Sequence, residues 1–174
     1  MRATVSDVNT LDQQAFVALL GPLFERSPWV AAEAWHGRPF ASVARLHEAL
    51  CAAMYVAPVE QQVALIRAHP DLVGAAARAG TLTPDSRGEQ ASAGLDRLTP
   101  EEIAAFTNLN RAYRERFAFP FVICARENKK AGILAGFAAR LHHTRDEEIA
   151  IALGEIAKIA HLRLLDRVRN DADE

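Results

Sequence analysis

Apolar positions recur every three or four residues along nearly the whole chain, and that period predicts helices. In "LDQQAFVALLGPLFE" (11–25), Phe16, Leu19, Leu20 and Leu23 share one face, with an interruption near Gly21-Pro22. "SPWVAAEAW" (27–35) carries a start signal, Ser27 followed by Pro28 at the first helical position. "SVARLHEALCAAMYVA" (42–57) and "VEQQVALIRA" (59–68) predict two further helices separated by Pro58. "HPDLVGAAARAG" (69–80) reads as another, opening at Pro70 and closing at Gly80. "TPEEIAAFTNLNRAYRERF" (99–117) opens with Thr99, Pro100 and Glu102 arranged as a capping box. A last long amphipathic helix runs roughly from Arg145 to Val168. Nothing alternates as a strand should. The one extended stretch is "FAFPFVICA" (117–125), where Pro120 interrupts an aromatic and β-branched run. The expectation is an all-α, single-domain bundle over residues 1–174 with a core over about 10–168, without repeats or linkers.

Composition changes that picture little. Half of the 174 residues are apolar and 24% are charged, and the net charge of −2 is spread along the chain. No basic footprint for nucleic acid or an anionic membrane surface emerges. No run approaches the ~18 apolar residues of a membrane span, and the N-terminus lacks a signal-peptide core. Cys51 and Cys124 are isolated among apolar neighbours, with no metal-ligand spacing, and read as free buried thiols of a cytoplasmic protein. "RLHHTRDEE" (140–148) contains its own acids and reads as a solvated helix face, with His142 and His143 at the surface.

Three polar residues sit awkwardly in this pattern. His69 precedes a helix-starting proline, next to unpaired amides and a positive dipole end that favour neutral imidazole. It is either a capping residue or a general acid/base. Ser86 and Glu89 match S-x-x-E, so they form a capping box, or else Glu89 and the helix start face a polar ligand. Arg163 falls inside the stripe of Ile149, Leu153, Ile156 and Ala160, flanked by Ile159 and Leu164. A guanidinium there needs an anion, structural or ligand-borne, or must snorkel out at the helix end.

Ordered along the chain, "FERSPW" (24–29), "RPF" (38–40), "AHPDL" (68–72), "SRGEQ" (86–90), "AGLDRL" (93–98), "LNRAYRERFAFPFVICAR" (109–126) and "EIAKIAHLRL" (155–164) resemble the 2-oxo-4-hydroxy-4-carboxy-5-ureidoimidazoline (OHCU) decarboxylases of urate breakdown. The resemblance implies an all-α fold of that type, a homodimer, and cofactor-free loss of CO2 from OHCU to give (S)-allantoin. It implies catalytic roles for His69, Glu89 and Arg163. Substrate contacts carry over to Pro70, to Ser86, Arg87, Gly88, Glu89 and Gln90, and to Phe121, Val122, Ile123, Cys124 and Ala125. The sequence departs from the family at Ala118, where glycine is usual. No metal and no cofactor are expected, and the substrate is the only small-molecule partner. A helical adaptor without enzymatic activity, or a lyase or hydrolase acting on a related ureido compound, are the alternative readings.

Overall fold

The computed structural model describes residues 2–171. Its backbone separates into two compact units, one built from the chain up to Ala68 and again from Ala157, the other from His69 to Ile156.

The first unit contains helices α1 (Val5–Thr10), α2 (Gln13–Leu20), α3 (Trp29–Ala34), α4 (Val43–Val56) and α5 (Val59–Ala68). Side-chain caps explain where several of these begin. Thr4 and Asp7 form a reciprocal capping box, the Asp12 carboxylate accepts from the Ala15 amide, and the Ser42 hydroxyl accepts from the Arg45 amide. The α2 stripe breaks at Gly21-Pro22 as expected, passing into a 3-10 turn over Gly21–Leu23. Ser27 is not a cap, contrary to expectation. Its hydroxyl donates to the Glu25 carbonyl at 3.0 Å, and α3 begins after Pro28 without a side-chain cap. Phe16, Leu20, Phe24, Val30, Leu46 and Leu50 are fully buried and anchor this core. A two-stranded parallel ladder, β1 (Ala3–Thr4) against β2 (Val168–Arg169), is the exception to an all-helical reading. Two-residue strands are too short for the alternation that reveals a strand in sequence.

The second unit contains α6 (Ala75–Arg78), α7 (Pro84–Ser92), α8 (Pro100–Phe117) and α9 (Lys130–Arg140). It also holds the first part of α10 (Arg145–Arg167), along which the chain returns to the first unit. The Thr99/Glu102 capping box is present, reinforced by Lys130, whose ammonium lies 2.5 Å from Glu102. At the other end, α8 stops on Ala118 in the left-handed conformation (φ 62°), the reason glycine is preferred there. The core is aromatic. Phe121 stacks on Phe137 at 3.8 Å, and Tyr113 meets Phe121 edge-on at 5.3 Å. Such pairs contribute about 0.5–1.5 kcal/mol each beyond their buried area.

Two sequence expectations fail in this unit. The helix expected over 69–80 shrinks to Ala75–Arg78, although Gly80 does close it at φ 70°. The preceding backbone is claimed by tertiary hydrogen bonds. The Leu72 carbonyl accepts from the Asn110 amide at 2.8 Å, the Val73 amide donates to Gln90 at 3.1 Å, and the Val73 carbonyl accepts from Arg78 at 2.8 Å. Val73 is held at φ 56°, strained for a β-branched residue. Gly74 is required, because a Cβ there would lie 2.6 Å from that of Asp71. The second failure is the Ser86/Glu89 box. Thr83 is the cap, accepting from the Ser86 amide at 3.3 Å, with Pro84 at the first helical position. Ser86 is therefore already inside α7 and Glu89 lies a turn further on.

Candidate active site

His69 follows the last residue of α5 and is buried. Since no helix starts at Pro70, the amides and positive dipole end invoked to keep its imidazole neutral are not there; the nearest helix end is the carbonyl end of α5. Behind His69 lies the strained loop at Val73, held by the bonds described above. Backbone strain persists only where surrounding bonds over-determine it, and it concentrates at functional sites.

Those bonds lead directly to α7. Gln90 is buried and reaches the Val73 amide, so the "SRGEQ" helix and the "HPDL" loop form one unit of structure. Ser86 is buried on the same helix, Glu89 is half-buried, and Pro70 is half-buried in the loop. Arg87 is exposed and donates to the Gly80 carbonyl at 2.9 Å. Gly88 is exposed too, with open space where a side chain would stand.

The third element is the extended segment 121–125, which leads into a 3-10 turn (Ala125–Glu127) packed against α7. It is pinned at several atoms. The Val122 carbonyl accepts from Arg140 at 2.7 Å, the Cys124 amide donates to Glu155 at 2.7 Å, and the Cys124 carbonyl accepts from the Asn128 side chain at 2.9 Å. Phe121 and Ala125 are buried and Ile123 is half-buried. Burial pushes the Cys124 thiol up, and the nearby carboxylates of Glu127, Glu155 and Glu89 push it further. A thiol so disposed is a poor nucleophile. The Glu89 carboxylate therefore acts on the Cys124 thiol through its field. Within the second unit, then, the loop of His69 and Pro70, the helix of Ser86 to Gln90 and the segment 121–125 come together.

Arg163 belongs to the first unit, on the later part of α10. It is 2% exposed, and the stripe of Ile149, Leu153, Ile156 and Ala160 around its helix is buried as expected. Its guanidinium has the anion it requires. Glu25, itself 5% exposed, lies at 3.4 Å, and the Pro22 and Leu23 carbonyls accept at 3.4 Å as well. These contacts are at the long end of the hydrogen-bond range.

Sequence reasoning passed over several residues that organise these elements. Thr83 was overlooked although "TP" is the same start signal as at Thr99. Glu25 sits inside an apolar run, "PLFERSPW", and that alone marks it as a buried acid. Arg140 is buried although its stretch reads as a solvated face, and so is Glu148, which is fully buried. It pairs with Arg140 at 2.8 Å and with His143 at 2.7 Å, so His143 is half-buried and paired, while His142 is exposed as expected. Among the described residues no group of three or more His, Cys, Asp or Glu is arranged to hold a metal ion. Cys51 and Cys124 are free and buried. No single helix among the described residues is long and apolar enough to cross a membrane.

Comparison with known proteins bears directly on these elements. The OHCU decarboxylase family model matches residues 9–165. A protein of Amia calva named 2-oxo-4-hydroxy-4-carboxy-5-ureidoimidazoline decarboxylase is 44% identical over 162 residues, covering 93% of each chain. One of the same name from Halalkalicoccus jeotgali is 40% identical over 163 residues, covering 94% of this chain and 90% of its own. The crystal structure of an (S)-allantoin synthase superposes with a TM-score of 0.74 at 29% identity, over 95% of this chain. This chain spans about half of that one, 54% of its length. With a family match running through both compact units and near-full-length relatives at this identity, the chain belongs to the OHCU decarboxylase family.

Proposed function

We propose that the protein catalyses loss of CO2 from OHCU to give (S)-allantoin, in urate degradation. The observation that carries this reading is the joining, within one compact unit, of the three segments the family resemblance assigns to substrate: "HPDL", "SRGEQ" and "FVICA".

Decarboxylation leaves an electron pair behind, and OHCU carries its own sink for it. The bond from the hydroxyl-bearing carbon to CO2 breaks, and its electrons form a double bond towards the neighbouring carbon while the imine nitrogen takes up charge. The hydroxyl then gives up its proton as the carbonyl of allantoin forms, and a proton arrives on the neighbouring carbon from one face. The protein's tasks are therefore to orient the carboxylate, accommodate developing charge and move protons on one side only. His69 takes the acid/base role, since it is a buried titratable group on a rigid loop. Glu89 holds N–H groups of the ring or ureido arm. The segment 121–125 offers peptide groups to the amide-like edges of the heterocycle, and Pro70 and Ser86 to Gln90 shape the rest. Arg163 is assigned the recognition of substrate negative charge. A clamp on the departing carboxylate alone would favour the ground state, so its role includes an oxygen that keeps or gains charge. The resemblance reads the chain as a single OHCU decarboxylase-like domain and implies a cytoplasmic homodimer; light scattering on the purified protein tests the latter.

The test is to add purified protein to freshly generated OHCU and follow optical activity against the slow racemic background. Rapid formation of (S)-allantoin is expected. Decay at the buffer rate to racemic product would overturn the reading. His69→Ala is expected to abolish the enantiomeric excess, and Glu89→Gln to reduce turnover severely with little change in stability, since glutamine keeps the length of the side chain and a carbonyl acceptor.

A further inference from the structure

The buried cluster around Glu148 has no part in the chemistry above, yet it ends on the backbone assigned to substrate. Glu148 is fully buried and receives three donors: the Arg140 guanidinium (Nε at 2.9 Å, a terminal nitrogen at 2.8 Å), the Tyr113 hydroxyl and His143 Nδ1 at 2.7 Å. The remaining arm of Arg140 donates to the Val122 carbonyl at 2.7 Å, and the guanidinium carbon lies 4.3 Å from the centre of the Phe121 ring. The fork is thus divided between an anion and a single peptide carbonyl. A lysine, with one point charge, has no such geometry.

The consequence follows from peptide planarity. The Val122 carbonyl and the Ile123 amide belong to one rigid trans unit, in which C=O and N–H point in opposite directions. Drawing the carbonyl towards Arg140 turns the Ile123 N–H away from Arg140. The next amide, that of Cys124, is already taken by Glu155. A buried ion pair is itself weak support for stability, so the value of this one lies in what its free arm orients.

We propose that Arg140, held by Glu148, is a positioning residue that sets the Val122–Ile123 peptide plane so that the Ile123 N–H donates to a carbonyl-type oxygen of the substrate. This rests on the decarboxylase reading and names a specificity contact within it.

The measurements use three full-length proteins, the wild type, Arg140→Lys and the double variant Arg140→Met with Glu148→Gln. The double variant removes both charges, keeps an acceptor for the Tyr113 hydroxyl and withdraws the donor from Val122. Charge-neutral replacement of a buried pair generally restores stability. Positioning predicts that its Tm returns towards wild type while KM for OHCU stays raised by about tenfold, roughly one hydrogen bond, with kcat changed much less. Arg140→Lys should show the same rise in KM. Recovery of KM together with Tm, or an unchanged KM in Arg140→Lys, overturns the proposal. A further measurement needs no variant. Saturating (S)-allantoin should slow hydrogen exchange at the Ile123 amide of the wild-type protein, and no slowing in an enzyme that turns OHCU over rules the contact out. An enzyme that leaves OHCU untouched is a different failure, that of the decarboxylase reading itself.

Discussion

Two buried arginines, one in each unit, show how differently the same charge can be used. Both sit on helices, both are nearly inaccessible, and both face a buried glutamate: Arg140 with Glu148, Arg163 with Glu25. Arg140 reaches its carboxylate at 2.8–2.9 Å, and its partner also takes the Tyr113 hydroxyl and His143. Arg163 stands 3.4–3.5 Å from its carboxylate. Hydrogen bonds to ionised groups strengthen as they shorten, and a chain of them strengthens each member. The tight, networked pair fixes local structure. The looser pair satisfies the desolvated charge with less commitment of geometry, which suits a group assigned to substrate recognition.

The contrast predicts opposite balances of stability and activity. Arg140→Met leaves Glu148 buried without its main cation, and breaking a buried pair in this way costs about 3–5 kcal/mol. Urea denaturation monitored by circular dichroism should show that loss as a lower midpoint. Arg163→Lys keeps a cation near Glu25 and should lower stability by no more than about 1–2 kcal/mol. Its turnover of OHCU should nevertheless fall by about 10²–10³-fold, the scale seen when one donor to developing charge is withdrawn. If Arg163→Lys proves the less stable of the two and retains activity, the assignment of the two arginines is reversed.

Ala118 refines the comparison at smaller scale. It ends α8 in the left-handed region and leads into the segment that Arg140 holds at Val122. An L-residue there is strained by about 1–2 kcal/mol, while glycine loses about 0.5–1 kcal/mol more conformational freedom on folding. Ala118→Gly should therefore raise stability by a net ~0.5–1 kcal/mol. Its KM should not move, because the clamp rather than the turn sets the Val122 peptide. A shift in KM without a gain in Tm would place the control of that backbone at the turn.

What the sequence revealed divides along a physical line. Helices α4, α5, α8 and α10 were legible because period and caps are local signals, and Arg163 was legible because a charge interrupted such a period. The loop 69–74 was not. Its Ala-rich continuation and Pro70 look helical, but Asn110 and Gln90, distant in sequence, take its backbone groups. The helix start expected beside His69 is therefore absent, and the residue is buried instead at the end of α5. The Ser86/Glu89 box was a true local pattern outcompeted by Thr83-Pro84 three residues earlier. Glu148 was hidden because "TRDEE" has the composition of a surface, and only tertiary packing distinguishes its last glutamate from Glu147, which caps the helix start at Thr144.

A half-buried basic group extends the series, and it has neither arginine's solution. His47 on α4 has one ring nitrogen, Nε2, 2.9 Å from the Ala157 carbonyl and 3.3 Å from the Cys51 sulfur, and its ring centre lies 4.7 Å from that of His161. Burial holds its pKa below the ordinary value of 6.5; the Ala157 carbonyl and Glu48 oppose that, and His161 adds to it. The Cys51 thiol, pushed up to about 11 by burial, remains protonated and supplies no anion. Because the folded-state pKa is the lower one, the unfolded chain takes up its proton first as the solution is acidified. Stability from keeping this ring neutral is complete above about pH 6.5 and drains away as pH falls towards the folded value. His47→Gln retains a polar group of similar reach without the titration, so its Tm should decline less than that of wild type between pH 7 and the acid limit of folding. Parallel Tm curves for the two proteins would mean that the ring accommodates its charge where it stands, and the distinction between a basic group with an anion and one without would lose its third case.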